Sequence, residues 1–207
     1  MPDPNGFYAL FAKRALDSVA SVALIAISAP VHLVCAALIK IDDGGPVYFH
    51  QERVGWKGRT FTLHKLRTMS VGTHEKSGGY PTESMVTKPG KFIRRFSLDE
   101  LPQLWNILRG EMSFVGPRPA LPDQVARYTD LQRERLLVRP GLTGAAQVKY
   151  RNGAPWSVRI NEDLGYVNRL GLMEDLNILL RTIPSALAGE GQSVGQTADQ
   201  VDDLGTH

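Results

Sequence analysis

Between Ser18 and Ile39 the chain runs for 22 residues without an Asp, Glu, Lys or Arg. As a helix that run is about 33 Å long, enough to cross the hydrocarbon core of a bilayer. A core helix of a soluble domain is seldom this apolar over such a length. Nor does the run read as a cleavable signal peptide, because Asp3 and Asp17 precede it and no small-residue cleavage site follows before Lys40. Pro30 sits near its middle with Ser28 close by, and a proline removes one backbone donor and crowds the preceding turn, so a bend is predicted there. Two topologies remain open from physics alone: a kinked spanning helix, the commoner solution, or a re-entrant hairpin returning to the same face. Flanking charge does not choose between them, since Lys13 and Arg14 stand before the run and Lys40 after it.

The rest of the chain has the composition of a folded domain. At 207 residues, with 43% hydrophobic and 22% charged residues, it is long enough for one real core and short for two. The net charge of +3 hides an asymmetry: up to Arg95 there are 13 Lys/Arg against 7 Asp/Glu, and afterwards 11 against 14. A basic front half beside an apolar segment suits anionic headgroups or phosphates. Cys35 is the single cysteine, which excludes an internal disulfide and a cysteine-based zinc site. The five histidines show no metal-ligand spacing. Walker loop, nucleophile elbow and dinucleotide fingerprint are all missing, and no motif supports nucleic-acid binding.

Past Lys40, Gly44-Gly45-Pro46 marks a turn, and the stretch from Val47 to Leu63, with glycines at Gly55 and Gly58, reads as a short β-hairpin. Ser70 to Pro89 is polar, carries Gly78-Gly79, and reads as a loop. Ser97 to Leu108 predicts an amphipathic helix with Leu98, Leu101, Leu104, Trp105 and Leu108 on one stripe and Asp99, Glu100, Gln103 and Asn106 opposite. Further helices are predicted from Pro122 to about Val138 and from about Asp163 to Leu187, the latter apolar enough to lie on a core or a membrane surface. The tail from Gly189 is acidic and aperiodic, the pattern of a disordered segment. The fold class that results is α+β, mainly helical: an N-terminal membrane-inserted segment over 1–40, a domain over 41–188 with a hairpin and amphipathic interfacial helices, and a tail over 189–207.

Chemistry centres on Ser97-Leu98-Asp99-Glu100. Ser followed three residues later by Glu is a capping box, which places Asp99 in a first helical turn beside unpaired backbone donors. Acidic residues there often do nothing but cap. Their neighbours argue for more. Arg94 and Arg95 precede them, and Arg118 follows in the rigid turn Gly116-Pro117-Arg118-Pro119, where a planar fork of donors can grip phosphate oxygens. Lys65 and Arg67 add cations after the hairpin, and Arg139 heads another Pro/Gly-shaped turn.

These residues also carry a family resemblance. Lys13-Arg14 with Asp17, Gly45-Pro46-Val47, Arg53-Val54-Gly55, Lys65-Leu66-Arg67-Thr68-Met69, Ser97 to Leu104 with Asn106, Gly110 to Pro119, and Arg139 to Gly144 with Gln147 together resemble the small monotopic phosphoglycosyl transferases among the bacterial sugar transferases. The resemblance implies transfer of a sugar phosphate from a UDP-sugar to polyprenyl phosphate at the cytosolic face of the bacterial inner membrane, with magnesium required. It implies Asp99 as nucleophile and metal contact, Glu100 as its partner at the metal or in proton handling, and Arg118 as a phosphate ligand. Arg94, Lys65, Arg67, Arg139 and Gln147 become candidates for the substrate site. It further implies that the apolar segment is a re-entrant helix broken near Ser28 and Pro30, here with Ala29 between them. Lys149-Tyr150-Arg151-Asn152 departs from the relatives' usual glycine before Arg-Asn. The competing readings are a non-catalytic membrane-surface protein that binds lipid or a partner, and a hydrolase that releases sugar phosphate to water.

Overall fold

The computed structural model describes residues 6–73, 82–150, 153–187 and 202–204. Among them one helix is long and apolar enough to cross a membrane, Tyr8–Asp43. It opens with a π-helical turn, Tyr8–Ala12, and continues as α1, Lys13–Asp43. The break expected at Ser28 and Pro30 is not seen: α1 is helical through both residues. Proline removes a single donor from the ladder, and the Ser28 hydroxyl donates to the Leu24 carbonyl at 2.6 Å, so the surrounding turns persist. Gly44, in the left-handed region at φ 70°, ends the helix by donating its N–H to Lys40 O.

What α1 touches matters more than its length. Lys13, Asp17, Ser21, Cys35 and Ile39 are buried, and Ile25 packs between them. With half-buried Ser28 and His32 between Ile25 and Cys35, these positions recur every three or four residues, so one stripe of the helix lies along the domain. Its first turns are clamped: Lys13 pairs with Asp175, Asp17 accepts from Phe114 N, and Arg14 donates to Ile107 O at 2.6 Å and Leu108 O at 2.5 Å. Its last turn is clamped too, by Asp43 against Arg67. The opposite stripe, including Val19, Val22, Ile27, Leu33, Val34 and Ile41, is exposed.

The hairpin is present as read. Strands β1 (Tyr48–Val54) and β2 (Thr60–Leu66) pair antiparallel, Tyr48 opposite Leu66 and Val54 opposite Thr60. From Ser70 to Pro89 the described part is more ordered than a loop. Met69 bridges Val86, a short 3-10 turn covers Glu83–Met85, and α2 (Lys88–Arg95) begins there with Thr87 capping Gly90 N. Gly78-Gly79 and Arg151-Asn152 lie outside the described residues.

The predicted helix from Ser97 is corrected in three ways. Ser97 sits in the left-handed region (φ 55°) and its side chain makes no cap bond, so no capping box forms. Leu98–Glu100 is one 3-10 turn, and α3 (Gln103–Arg109) follows it. The faces are also rearranged: Asp99, Gln103 and Asn106 are buried while Trp105 is 50% exposed. Internal partners make this tolerable, because Asn106 donates to Thr62 O and Glu111 and accepts from His64 N.

Strands β3 (Ser113–Val115) and β4 (Gly141–Thr143) form a second, parallel pair. The helix predicted from Pro122 to Val138 is instead α4 (Pro122–Ala126), α5 (Asp130–Arg133) and a 3-10 turn, Glu134–Leu137. Thr129 interrupts it by capping Gln132 N. After α6 (Ala145–Tyr150), the last predicted helix is two, α7 (Trp156–Arg169) and α8 (Leu172–Leu187), divided at Leu170-Gly171. Asp175 explains the break: in the first turn of α8 it collects Lys13, Tyr8 and Tyr166, a geometry one continuous helix does not provide.

Three residues of the expected disordered tail are placed against the domain. Leu204 is 5% exposed and packs with Val54, Ala120, Ile160 and Leu164. Asp202 accepts the Arg127 fork at 2.7 and 2.9 Å. Asp203 accepts from Ser157 N at 3.0 Å, a cap that Pro155, preceding α7, cannot supply. Leu204→Ala is expected to cost about 2 kcal/mol or more of stability, read as a lower Tm of the full chain in detergent. An unchanged Tm would mean that the segment only rests on the surface.

Candidate active site

Three backbone devices build the site. The left-handed Ser97 turns the chain out of α2 and aims Asp99 inward, a strained non-glycine conformation of the kind that functional sites retain. The hairpin carries Lys65 to the same place. Close backbone contact fixes the Arg118 turn: a Cβ on Gly116 would meet Arg139 O at 2.3 Å, and one on Gly144 would meet Gly116 O at 2.2 Å. Only glycine lets β3 and β4 approach that closely.

Lys65 Nζ stands 2.9 Å from Glu100 Oε1 and 3.7 Å from Asp99 Oδ2. The Asp99 side chain is 6% exposed, and those of Lys65 and Glu100 are each 15% exposed. Burial pushes the Asp99 carboxyl up, Lys65 and Arg94 pull it down, and neighbouring Glu100 adds to the rise; the net direction is upward. Burial acts on Glu100 in the same way, but Lys65 and Arg118 outweigh it and the net direction is downward. Two adjacent carboxyls are thus pulled apart in acidity, as in sites that divide roles between two acids. Gln103, buried beside them, also bonds Glu100.

Lys65, Arg94, Asp99, Glu100 and Arg118 are therefore brought near one another. Three other candidates have their side-chain bonds elsewhere. Arg67 is engaged by Asp43, Pro46 O and Met69 O, where it ties α1 to the hairpin. Arg139 donates to Gly110 O at 3.0 Å and lies over the Trp56 ring. Gln147 donates to Leu142 O at 3.4 Å. Two arginines that sequence reasoning left out, Arg53 and Arg159, act electrostatically on or with Arg118. Arg53 was visible in the Arg53-Val54-Gly55 motif, whereas nothing around Arg159 marks it.

Among the described residues no group of three or more His, Cys, Asp or Glu is arranged to hold a metal. Magnesium rarely needs one, because it binds through one or two carboxylates together with substrate phosphate oxygens. Asp99 and Glu100 fit an ion shared with a phosphate, and they do not fit a closed protein cage.

Fold and site together define a domain lashed along an apolar helix, with a buried carboxylate pair set among cations, an arrangement suited to phosphoryl-group chemistry. Residues 8–189 match the family model described as bacterial sugar transferase, and the chain belongs to that family. It is 41% identical over 179 residues to the uncharacterized sugar transferase EpsL of Bacillus subtilis (strain 168), covering 86% of this chain and 89% of the relative. It is 41% identical over 193 residues to the UDP-glucose:undecaprenyl-phosphate glucose-1-phosphate transferase of Caulobacter vibrioides, covering 84% of this chain and 69% of the relative. It is 38% identical over 197 residues to the exopolysaccharide production protein ExoY of Sinorhizobium fredii, covering 86% and 87%. Several other relatives are longer, and the chain spans about 41% of their length.

Lys65 lowers the pKa of both carboxyls, so removing its charge raises it. Lys65→Met is expected to move the acid limb of the activity–pH profile to higher pH. A profile that falls in height without moving would show that Lys65 does not tune the pair.

Proposed function

We propose that this chain moves a sugar 1-phosphate from a UDP-sugar to polyprenyl phosphate, undecaprenyl phosphate in bacteria, through a covalent Asp99 intermediate. The buried Asp99–Glu100 pair, bridged by Lys65 and flanked by Arg94 and Arg118, carries the reading. Support comes from its relatives, which include a UDP-galactose-lipid carrier transferase and undecaprenyl-phosphate sugar phosphotransferases. In the first step an Asp99 carboxylate oxygen attacks the β-phosphorus, the bond to the bridging oxygen breaks, and UMP leaves with the electron pair. In the second an oxygen of polyprenyl phosphate attacks the same phosphorus and frees the carboxylate, giving polyprenyl diphosphate-sugar. Splitting the transfer in this way predicts ping-pong kinetics.

Asp99 and Glu100 would hold magnesium, which when bound neutralises phosphate charge. Lys65 and Arg94 hold Asp99 toward its ionised form against the cost of burial, and Arg118 lies where phosphate oxygens are to be neutralised. Burial of the pair keeps bulk water from the acyl phosphate, which favours the lipid acceptor over hydrolysis.

The membrane topology proposed is re-entrant or in-plane, with both helix ends and the catalytic domain on the cytosolic face of the inner membrane. Support lies in the two clamps: Arg14 and Asp17 near one end of α1 and Asp43 at the other all bond to the same domain. A helix held to one domain at both ends presents its exposed apolar stripe to a bilayer from one side. Cytosolic UDP-sugars also reach a site on that face, and ExoY's name places a relative in exopolysaccharide production.

With a panel of UDP-sugars and polyprenyl phosphate in nanodiscs, the wild-type chain is expected to release UMP and form polyprenyl diphosphate-sugar. Asp99→Asn is expected to lose at least about a thousandfold of that activity. Release that survives the substitution would refute the nucleophile assignment, and free sugar phosphate without acceptor product would identify a hydrolase. Accessibility tags placed before Lys13 and after Leu187 are expected on the cytosolic face, and tags on opposite faces would establish a spanning helix.

A further inference from the structure

The turn that carries Arg118 is held from outside. Pro117 and Pro119 have no N–H with which to close it, and four successive carbonyls accept from other parts of the chain. Gly141 N donates to Pro117 O at 2.9 Å and Arg135 Nη2 to Arg118 O at 3.0 Å. Arg53 Nη1 donates to Pro119 O at 3.1 Å and Val54 N to Ala120 O at 2.9 Å. Most of these holders border one apolar cluster. Val54 and Ala120 belong to it, Arg53 immediately precedes Val54, and Arg135 donates to the hydroxyl of its Tyr128 at 2.7 Å.

Residues 202–204 complete that cluster, each through a different kind of contact. Leu204 lies buried in it with Val54, Ala120 and Tyr128. Asp202 accepts the Arg127 fork, and Arg127 also donates to Leu204 O at 2.9 Å, which fixes the main chain. Asp203 accepts from both the N–H and the hydroxyl of Ser157 in the first turn of α7. The Arg127 side chain is 39% exposed, so its ion pair adds little in water. Burial of the leucine drives the docking, and the two acids set its register. The grip on α7 reaches the same turn, because Asp163 of α7 holds the Arg135 guanidinium that donates to Arg118 O.

We propose that residues 202–204 are a positioning latch for the reaction: docked on this cluster, they keep the Arg118 turn in register beside the carboxylate pair. The inference rests on reading that pair as the site of a UDP-sugar transferase. Arg118 acts on Glu100, and a turn closed by bonds from its neighbours moves when those neighbours move. Without the segment, Val54, Ala120 and Tyr128 lose an apolar neighbour and the first turn of α7 loses its cap. The latch touches no substrate. It acts through Arg118, so its effect vanishes once the Arg118 side chain is removed.

The test is a double-mutant cycle between the segment and Arg118, read as UMP release in nanodiscs well below the Tm of every variant. The chains compared are the full chain, a chain ending at Val201, Arg118→Ala, and the two changes combined. Polyprenyl phosphate and the UDP-sugar that the full chain turns over fastest serve as substrates. Truncation is expected to slow UMP release about tenfold or more, the cost of a displaced positioning group. In the Arg118→Ala background the same truncation is expected to change the rate by less than about twofold. A truncated chain as fast as the full one overturns the latch and leaves the donor reading standing. An equal loss in both backgrounds shows that the segment supports the fold at large, and it also overturns the latch. A full chain that releases UMP from no UDP-sugar overturns the donor reading and the latch with it. Should the truncated chain unfold, Leu204→Ala and Asp203→Ala in the full-length chain carry the cycle. Each is expected to slow release about threefold or more with Arg118 present and to have no effect without it, and unchanged rates in both overturn the proposal.

Discussion

Two carboxylates on consecutive residues are buried side by side, and the ammonium of Lys65 between them makes that burial tolerable. An isolated carboxylate in such a place would cost several kcal/mol and take up a proton instead. Arg94 acts on Asp99 and Arg118 on Glu100, so three cations together offset the cost of burying the pair. Much of the domain serves this contact: the hairpin presents Lys65, the left-handed Ser97 turns Asp99 and Glu100 inward, and the glycine-bound turn after β3 brings Arg118 alongside.

The apolar helix joins the same construction. Ile93 of α2 packs on Cys35 and Ile39, and the next residue, Arg94, acts on Asp99. At the other end, Asp17 bonds Phe114 of β3, two residues before Gly116. The helix thus braces both cationic flanks.

Sequence reasoning found the long helix, the hairpin and the Lys65, Arg94, Asp99, Glu100, Arg118 group, because each leaves a local mark: an uncharged run, β-branched and aromatic residues around glycines, and acids between arginine-bearing turns. It failed where tertiary contacts overrule local pattern. Ser97 and Glu100 have capping-box spacing, yet the chain uses Ser97 as a left-handed pivot. The polar stripe of α3 looked solvent-facing because nothing local shows that Asn106 meets Thr62, His64 and Glu111. Arg67 clamps a helix end and Arg139 stacks on Trp56, roles that leave the same sequence signature as a phosphate ligand. Leu204 was invisible for the opposite reason: a short apolar anchor in an acidic tail has no period to read.

The most direct measurement is mass spectrometry of the full chain after incubation with a UDP-sugar and magnesium in the absence of polyprenyl phosphate. The account predicts an adduct of one sugar phosphate, localised by fragmentation to the peptide that contains Asp99 and discharged when acceptor is added. An unmodified chain under conditions that release UMP, or an adduct on any other residue, would contradict it.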